Sequence, residues 1–240
     1  MDIIKYWESC NLIIYKKQEE YYRVLAREFL ICAEKCIKDK GCFLAVLGGG
    51  KSPARINEEI VKASGEYALD WSKIYIVLSD ERYVEETSDF SNYKLTKETL
   101  IDKVGGNALY SVYKPDRSEE AAAGLYHDYI KELWKKTGQE YFDYALLGVG
   151  DDGHTASLFP NRLPGNVKNR FAVYSGIGPE GLERISLSIE ALNRCTVVSF
   201  IVNSLGKRKV LDSMKENWNT DRYPMQNIVR PKNMHILREE

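Results

Sequence analysis

Residues 144–160, YALLGVGDDGHTASLFP, are the most informative stretch of this 240-residue chain. Their apolar beginning is typical of a strand buried on both faces, and Gly148 and Gly150 would let the backbone turn tightly after it. The stretch then delivers His154 to the carboxyl end of that strand, where open α/β sheets bind their ligands. A polar turn with a structural histidine fits the same residues, so the rest of the chain has to separate the two interpretations.

The overall composition is that of an ordinary globular protein. Charged residues make up 29% of the chain and hydrophobic residues 44%, and the net charge is −1. This balance gives no reason to expect nucleic acid or a membrane surface as a partner, and the longest apolar runs are far shorter than the roughly 20 residues of a membrane span. The length suits one α/β domain, 1–240, with a full core.

The cysteines and histidines give no pattern of a metal site. Five scattered cysteines and an amino terminus without a secretory signal indicate a reducing compartment, so we expect a cytoplasmic protein. Cys32 and Cys36 lie close together but lack a second ligand pair, and Cys36 falls on an apolar stripe, which favours core packing. His127 and His235 also lack partners at ligand spacing. The sequence therefore predicts no metal.

Strands and helices alternate along the chain. Apolar residues at three- and four-residue steps predict a helix over 17–39, and Gly41 is well placed to end it. Short apolar runs predict buried strands over 42–47, 73–78, 145–147 and 196–202. Further predicted elements are strands over 108–113, 171–174 and 234–237, a half-buried strand over 184–189, and helices that begin at Ser52, Ser91, Ser118 and Ser204. This alternation predicts a single-domain α/β fold with a doubly wound, mostly parallel, Rossmann-like sheet.

Two of the predicted strands run directly into residues that suit an anionic ligand. The triple glycine Gly48, Gly49 and Gly50 would let backbone N–H groups approach an anion, and the helix start after it adds the positive end of a dipole. The loop is neither a nucleotide P-loop nor GxGxxG, and it suits a single phosphate, although a glycine-rich turn without a ligand is the alternative. Asp80 and Arg82 follow the next strand where a cleft would open, which favours function over a solvated turn.

Five segments, taken together, resemble the 6-phosphogluconolactonases of the pentose phosphate pathway. They are LGGGKSP (47–53), SDER (79–82), LLGVGDDGHTASLFP (146–160), RISLS (184–188) and GKRKVL (206–211). The resemblance extends over nearly the whole chain, and its most specific part, GDDGHTASLFP, is close to the family's GxDGHTxSLFP. The glucosamine-6-phosphate deaminases share the fold and the DGH but continue differently, so Thr155, Ser157 and Leu158 favour the lactonases.

The resemblance implies hydrolysis of 6-phospho-D-glucono-1,5-lactone, a small sugar-phosphate lactone, by a monomer or small homo-oligomer with neither metal nor organic cofactor. It implies that His154 is the catalytic base and that Asp80 is the acidic residue of the family's DER motif. Either Asp152, two residues before His154, or Asp80 could be the carboxylate that orients the imidazole, and the sequence leaves both open. The positions that match the family's substrate or phosphate cleft are Gly48, Gly49, Gly50, Lys51, Ser52, Arg82, Arg184 and Lys207.

The chain departs from the family pattern at two positions near this cleft. Lys51 stands where a small hydroxyl residue is common, and its ammonium either adds to the charge around a phosphate or points to solvent. Ser204 replaces the family's glycine three residues before Lys207. The sequence leaves open which of Arg82, Arg184 and Lys207 faces the phosphate and which faces the lactone carbonyl.

Two other functions would fit the same fold. A sugar-phosphate deaminase or isomerase would act on an open-chain amino sugar, and the sequence after His154 argues against it. A non-catalytic sugar-phosphate sensor would need a DNA-binding segment, for which the sequence before the first strand leaves no room, and would not need the histidine. The chain has no GxSxG motif, so an acyl-enzyme route is not expected. We therefore expect a lactonase.

Overall fold

A computed structural model describes residues 10–164, 169–229 and 231–238. The strands are β1 (Asn11–Tyr15), β2 (Phe43–Leu47), β3 (Ile74–Leu78), β4 (Asp80–Arg82), β5 (Phe142–Gly148), β6 (Ala172–Ile177), β7 (Glu183–Leu187), β8 (Cys195–Val202) and β9 (Pro231–Leu237). The helices are α1 (Gln18–Lys40), α2 (Lys51–Ala63), α3 (Asn92–Thr96), α4 (Glu119–Thr137), α5 (Ile189–Asn193) and α6 (Leu205–Glu216). Helix α3 continues through a π turn (Lys97–Ile101) into a short last turn (Asp102–Val104).

A parallel sheet of six strands carries helices on both of its faces. Its order is β1-β9-β8-β5-β2-β3, and every neighbouring pair is parallel. In β5, Tyr144 and Leu146 pack into one core with α1 and α2, whereas Ala145 and Leu147 pack into the other with α4 and α6. Strand β5 is buried over 142–147 because both of its faces are covered, and its one charged residue, Asp143, is paired with Lys40. The predicted α/β, doubly wound, mostly parallel fold is confirmed.

The strand order reverses between β2 and β5. From β2 the chain continues outward to β3, then returns to the other side of β2 as β5, and proceeds to β8 and β9. A crevice opens at such a switch point, outside the carboxyl ends of the strands. The triple glycine after β2 and the histidine segment after β5 therefore border the same crevice.

A second, antiparallel sheet lies beside this crevice, in the order β4-β7-β6. Its middle strand, β7, was predicted as half-buried over 184–189, and that prediction is wrong in burial and in length. The strand ends at Leu187, and Arg184 and Ser186 are buried together with their apolar neighbours. Ser186 faces the histidine segment, where its Oγ accepts a hydrogen bond from Ser157 N at 3.3 Å.

Two other local predictions are wrong. Residues 108–113 form no strand, although Leu109 and Val112 are buried. The side chain of Asn107 instead donates to the carbonyl oxygens of Ser72 and Ile74, so side chains fix this segment without a ladder of backbone bonds. Helix α2 begins at Lys51, one residue before the predicted cap Ser52.

The histidine near the carboxyl end, His235, belongs to a buried network that joins β1, α1 and β9. Its Nδ1 lies 2.9 Å from Tyr15 Oη, and its Nε2 lies 3.0 Å from Glu28 Oε2. Glu28 also accepts hydrogen bonds from Ser199 Oγ and from Asn233 Nδ2. These contacts place β1, which was not predicted, at the edge of the parallel sheet. Among the described residues, no helix has both the length and the apolar composition that crossing a bilayer requires.

Candidate active site

His154 and Asp152 form a hydrogen-bonded pair beyond the carboxyl end of β5. His154 Nδ1 lies 2.6 Å from Asp152 Oδ1, and the backbone N–H of His154 donates to the same oxygen at 3.0 Å. Burial alone would raise the pKa of Asp152, but its hydrogen bonds from His154 outweigh burial and hold that pKa below its usual value. An ionised carboxylate can only accept, so Nδ1 carries a proton, and in the neutral imidazole Nε2 is therefore the nitrogen with the lone pair.

The position of the imidazole depends on Gly150. A Cβ at residue 150 would lie 2.1 Å from His154 Nδ1, and the backbone N–H of Gly150 donates to the carbonyl oxygen of His154 at 2.8 Å. The turn therefore folds back on itself and leaves the imidazole partly exposed, with its ring beside Phe159. Asp152 also borders a surface cavity of about 480 Å³ together with Tyr223, so solvent reaches the pair.

Asp80 holds the histidine segment rather than the imidazole. Its Oδ2 accepts a hydrogen bond from Ser157 Oγ at 2.6 Å, and its Oδ1 accepts one from Ser79 Oγ at 2.8 Å. Of the two carboxylates that the sequence left open, Asp152 is the one that contacts His154. Asp80, which follows the end of β3, thus connects that end to the segment after β5.

Arg82 and Arg184 lie side by side although they are far apart in sequence, because they are partners in the antiparallel register of β4 and β7. Glu180, in the turn between β6 and β7, pairs with both: Oε2 contacts Nη2 of Arg184, and Oε1 lies 3.9 Å from Nη2 of Arg82. We call these three residues the arginine cluster. Burial would raise the pKa of Glu180, but hydrogen bonds and the guanidinium charges outweigh it and lower that pKa.

Two residues that the sequence did not single out hold Arg82 in place. Asn92 Oδ1 accepts a hydrogen bond from Arg82 Nη1 at 2.6 Å, and Asn92 Nδ2 donates to the carbonyl oxygen of Asp80 at 2.9 Å. The buried carboxylate of Glu81 accepts from the backbone N–H groups of Asn92 and Tyr93, both at 2.7 Å. Burial raises the pKa of Glu81 to about 7, against the effect of these bonds. One signal in the sequence could have predicted that Glu81 is buried. In an extended SDER segment successive side chains point to opposite faces, so Glu81 points away from the face that carries Asp80 and Arg82.

The triple-glycine loop packs against this group on one side. A Cβ at Gly49 would lie 1.7 Å from Asn92 Oδ1, whereas a Cβ at Gly48 would meet nothing closer than 3.5 Å. Gly50 precedes α2 with φ of 99°, a left-handed value that favours glycine. Lys51 is exposed.

On its other side the loop meets Lys207. Asn203 Nδ2 donates to Ser52 Oγ at 2.5 Å, and Lys207 Nζ donates to Asn203 Oδ1 at 3.0 Å. We call these three residues the lysine cluster. Burial lowers the pKa of Lys207, and the nearby charge of Asp151 partly opposes that effect. The loop thus lies between the arginine cluster, from the β4–β7 pair, and the lysine cluster, whose one cation is Lys207 in α6.

Gly49→Ala tests how closely the loop is matched to Asn92. We expect a loss of about 1–3 kcal/mol in the free energy of unfolding, because Asn92 must rotate away and give up its bonds to Arg82 and to the Asp80 carbonyl. Urea unfolding measures the loss. Gly48→Ala is the matched control and should change stability much less. Equal effects of the two substitutions would show that the contact with Asn92 is unimportant.

No metal-binding group is apparent within the described part of the chain, where no three His, Cys, Asp or Glu side chains converge. The five cysteines are free thiols, and Cys32 and Cys36 are partly buried against the core that includes α1 and α2. Burial raises the pKa of both thiols, as expected for packing residues rather than thiolate ligands.

A doubly wound sheet with a histidine–carboxylate pair and clustered cations at its switch point is the arrangement of an α/β enzyme. The chain belongs to the family described as glucosamine-6-phosphate isomerases/6-phosphogluconolactonase, whose model matches residues 16–237. The family resemblance inferred from the motifs is thereby confirmed, and the protein is an enzyme of this family.

Several relatives of this chain are named 6-phosphogluconolactonase. The 6-phosphogluconolactonase of Thermotoga maritima is 32% identical over 201 residues, which cover 82% of this chain and 85% of the relative. That of Chlamydia muridarum is 27% identical over 226 residues, or 94% of this chain and 86% of the relative.

Solved structures share the fold. A 6-phosphogluconolactonase from Shewanella baltica matches with a TM-score of 0.84 at 22% identity, over 95% of this chain and 98% of the other. A monomeric glucosamine-6-phosphate deaminase matches with a TM-score of 0.78 at 14% identity, over 95% and 96% of the two chains. At such identities the likeness to solved structures shows the fold alone and does not choose between the two activities.

Proposed function

We propose that this enzyme hydrolyses 6-phospho-D-glucono-1,5-lactone to 6-phospho-D-gluconate, a reaction of the pentose phosphate pathway, with His154 as the general base. The observation that carries the proposal is the bond between His154 Nδ1 and Asp152, which leaves Nε2 free at the switch point of the sheet. The names of the curated relatives and the GDDGHTASLFP segment support the lactonase over the deaminase.

The proposed reaction uses one imidazole twice. Nε2 of His154 takes a proton from water while the water oxygen forms a bond to C1 of the lactone, and the carbonyl electrons move onto its oxygen. The carbonyl then re-forms as the C1–ring oxygen bond breaks, and the imidazolium returns its proton to the departing ring oxygen. The carboxylic acid that results loses its proton to water, which gives 6-phospho-D-gluconate. Asp152 holds the Nδ1 proton throughout and stabilises the imidazolium that forms between the two steps.

In this proposal the arginine cluster and the lysine cluster stabilise the C1 oxyanion and bind the phosphate. The C1 oxyanion requires a positive or N–H donor beside it, and the phosphate requires charge-assisted hydrogen bonds, which are roughly twice as strong as neutral ones. We assign the phosphate to the surroundings of the triple-glycine loop, where the start of α2, Lys207 and the arginines approach from different sides. Metal assistance has no place in this scheme.

A single assay tests the proposal. Lactone hydrolysis is coupled to 6-phosphogluconate dehydrogenase and corrected for the spontaneous reaction, with and without EDTA. We expect rapid turnover that EDTA leaves unchanged. A rate no faster than the spontaneous reaction would overturn the proposal, and ammonia release from glucosamine 6-phosphate in a parallel assay would identify a deaminase instead. Loss of activity in EDTA, restored by zinc or magnesium, would contradict the metal-free mechanism.

A further inference from the structure

The arginine cluster is incomplete as a set of charges and hydrogen bonds. Its two guanidinium groups carry two positive charges, and Glu180 supplies one negative charge. Within the described part of the chain, Nε and Nη1 of Arg184 and Nε of Arg82 are buried without a hydrogen-bond partner. Buried polar groups of this kind are normally satisfied, and a charged group left without partners is costly. The cluster therefore has unused donors for a further anion.

Arg184 is also covered by the turn that carries Glu180. Its side chain is only 3% exposed. A Cβ at Gly178 would lie 2.5 Å from Arg184 Nε, so the backbone of the turn packs directly on the guanidinium group. An anion can reach these buried donors only if the turn between β6 and β7 moves.

The turn is built so that this movement is feasible. Gly176, near the end of β6, and Gly181, in the turn, have positive φ values of 84° and 77°, and glycine changes its backbone conformation more easily than other residues. The side chain of Glu180 is 45% exposed, so its carboxylate can turn toward water without being buried elsewhere. Glu180 is thus held to the cluster by its hydrogen bond from Arg184 and by its charge.

We propose that Glu180 is a resident anion that competes with the phosphate of the substrate for Arg82 and Arg184, and that it must be displaced before a phosphate binds both arginines. A phosphate dianion added beside Glu180 would bring three negative charges to two guanidinium groups. If Glu180 leaves, the charges balance and the unpartnered N–H groups gain acceptors. An anion then binds both arginines only if it binds them more strongly than the Glu180 carboxylate does. Weakly binding anions are therefore disfavoured. The proposed function is needed only to identify the anion as a sugar phosphate.

Binding of inorganic phosphate to the whole protein tests this inference directly. Isothermal titration calorimetry compares the wild type with Glu180→Gln, which keeps the size of the side chain and removes its charge. We expect the variant to bind phosphate about two- to fivefold more tightly, the change expected when a partly exposed ionic partner is removed. Glu180→Ala should give the same direction, and circular dichroism checks that both variants are folded.

Glu183→Gln is the matched control. Glu183 lies in the same hairpin, and its substitution removes the same net charge. Its carboxylate, however, accepts a hydrogen bond from Tyr174 Oη at 2.5 Å. Its phosphate affinity should stay close to that of the wild type. Unchanged or weaker phosphate binding by Glu180→Gln, or an equal gain in Glu183→Gln, would overturn the inference. Because this measurement requires no turnover, it tests the inference even if the protein has no lactonase activity.

Discussion

His154→Ala should lower kcat for the phosphorylated lactone by about 10²–10⁴-fold, the usual contribution of a positioned general base. The imidazole is partly exposed and its ring nitrogen bonds only to Asp152 among the described residues, so its removal should leave the fold intact. The affinity for 6-phospho-D-gluconate should change little, since the residues proposed to bind the phosphate lie elsewhere. Stopped assays of kcat, with calorimetry of product binding, separate the two effects. A variant that keeps at least half of the wild-type kcat would end the proposed role.

Asp152→Asn provides a graded comparison for the same pair. The amide can no longer stabilise the imidazolium, and it permits the tautomer in which Nδ1 lacks its proton, so kcat should fall while KM changes little. Asp80→Asn keeps the polar contacts with Ser157 in part and does not face the imidazole. If Asp80→Asn impaired kcat more than Asp152→Asn, the orientation of His154 would depend on the crevice geometry rather than on its direct partner.

The parts of this site that the sequence predicted are those encoded by short-range signals. The apolar run before Gly148, the glycines that follow it and the position of His154 are all consecutive, so the end of β5 could be inferred locally. The triple glycine after β2 was predicted in the same way. These two segments come together because both follow parallel strands, and the carboxyl ends of such strands lie at one edge of the sheet.

The parts that could not be predicted depend on pairing between distant segments. The register that joins Arg82 to Arg184 is set by β4 and β7, and no local pattern specifies which residues become partners. The role of Asn92 follows from the space left by Gly49, which is a property of packing. Glu180 lies in a turn rich in glycine, where a charged residue is usually solvated. For residues 108–113 the error was to predict a strand that does not form. Their apolar pattern arises because Leu109 and Val112 are buried in the core, not because the segment belongs to a sheet.

Arg184→Ala and Lys207→Ala should both raise KM strongly for the phosphorylated lactone. Each side chain, where it contacts the phosphate, contributes a charge-assisted bond worth about 1.5–3 kcal/mol, which corresponds to roughly a 10- to 150-fold change in affinity. The rate on unphosphorylated gluconolactone should change far less, because that substrate has no phosphate to lose. Steady-state kinetics of both variants on both substrates measure the difference.

The pair of substrates also tells a phosphate contact from a contact with the reacting carbonyl. A residue that faces the C1 oxygen stabilises charge present only in the transition state, so its loss should depress kcat on both substrates alike. The two residues need not behave in the same way. Arg184 is covered by the turn that carries Glu180, whereas Lys207 is joined to the start of α2 through Asn203 and Ser52. Unchanged kinetics in both variants would refute the phosphate assignment and leave Arg82 and the triple-glycine loop to bind that end of the substrate.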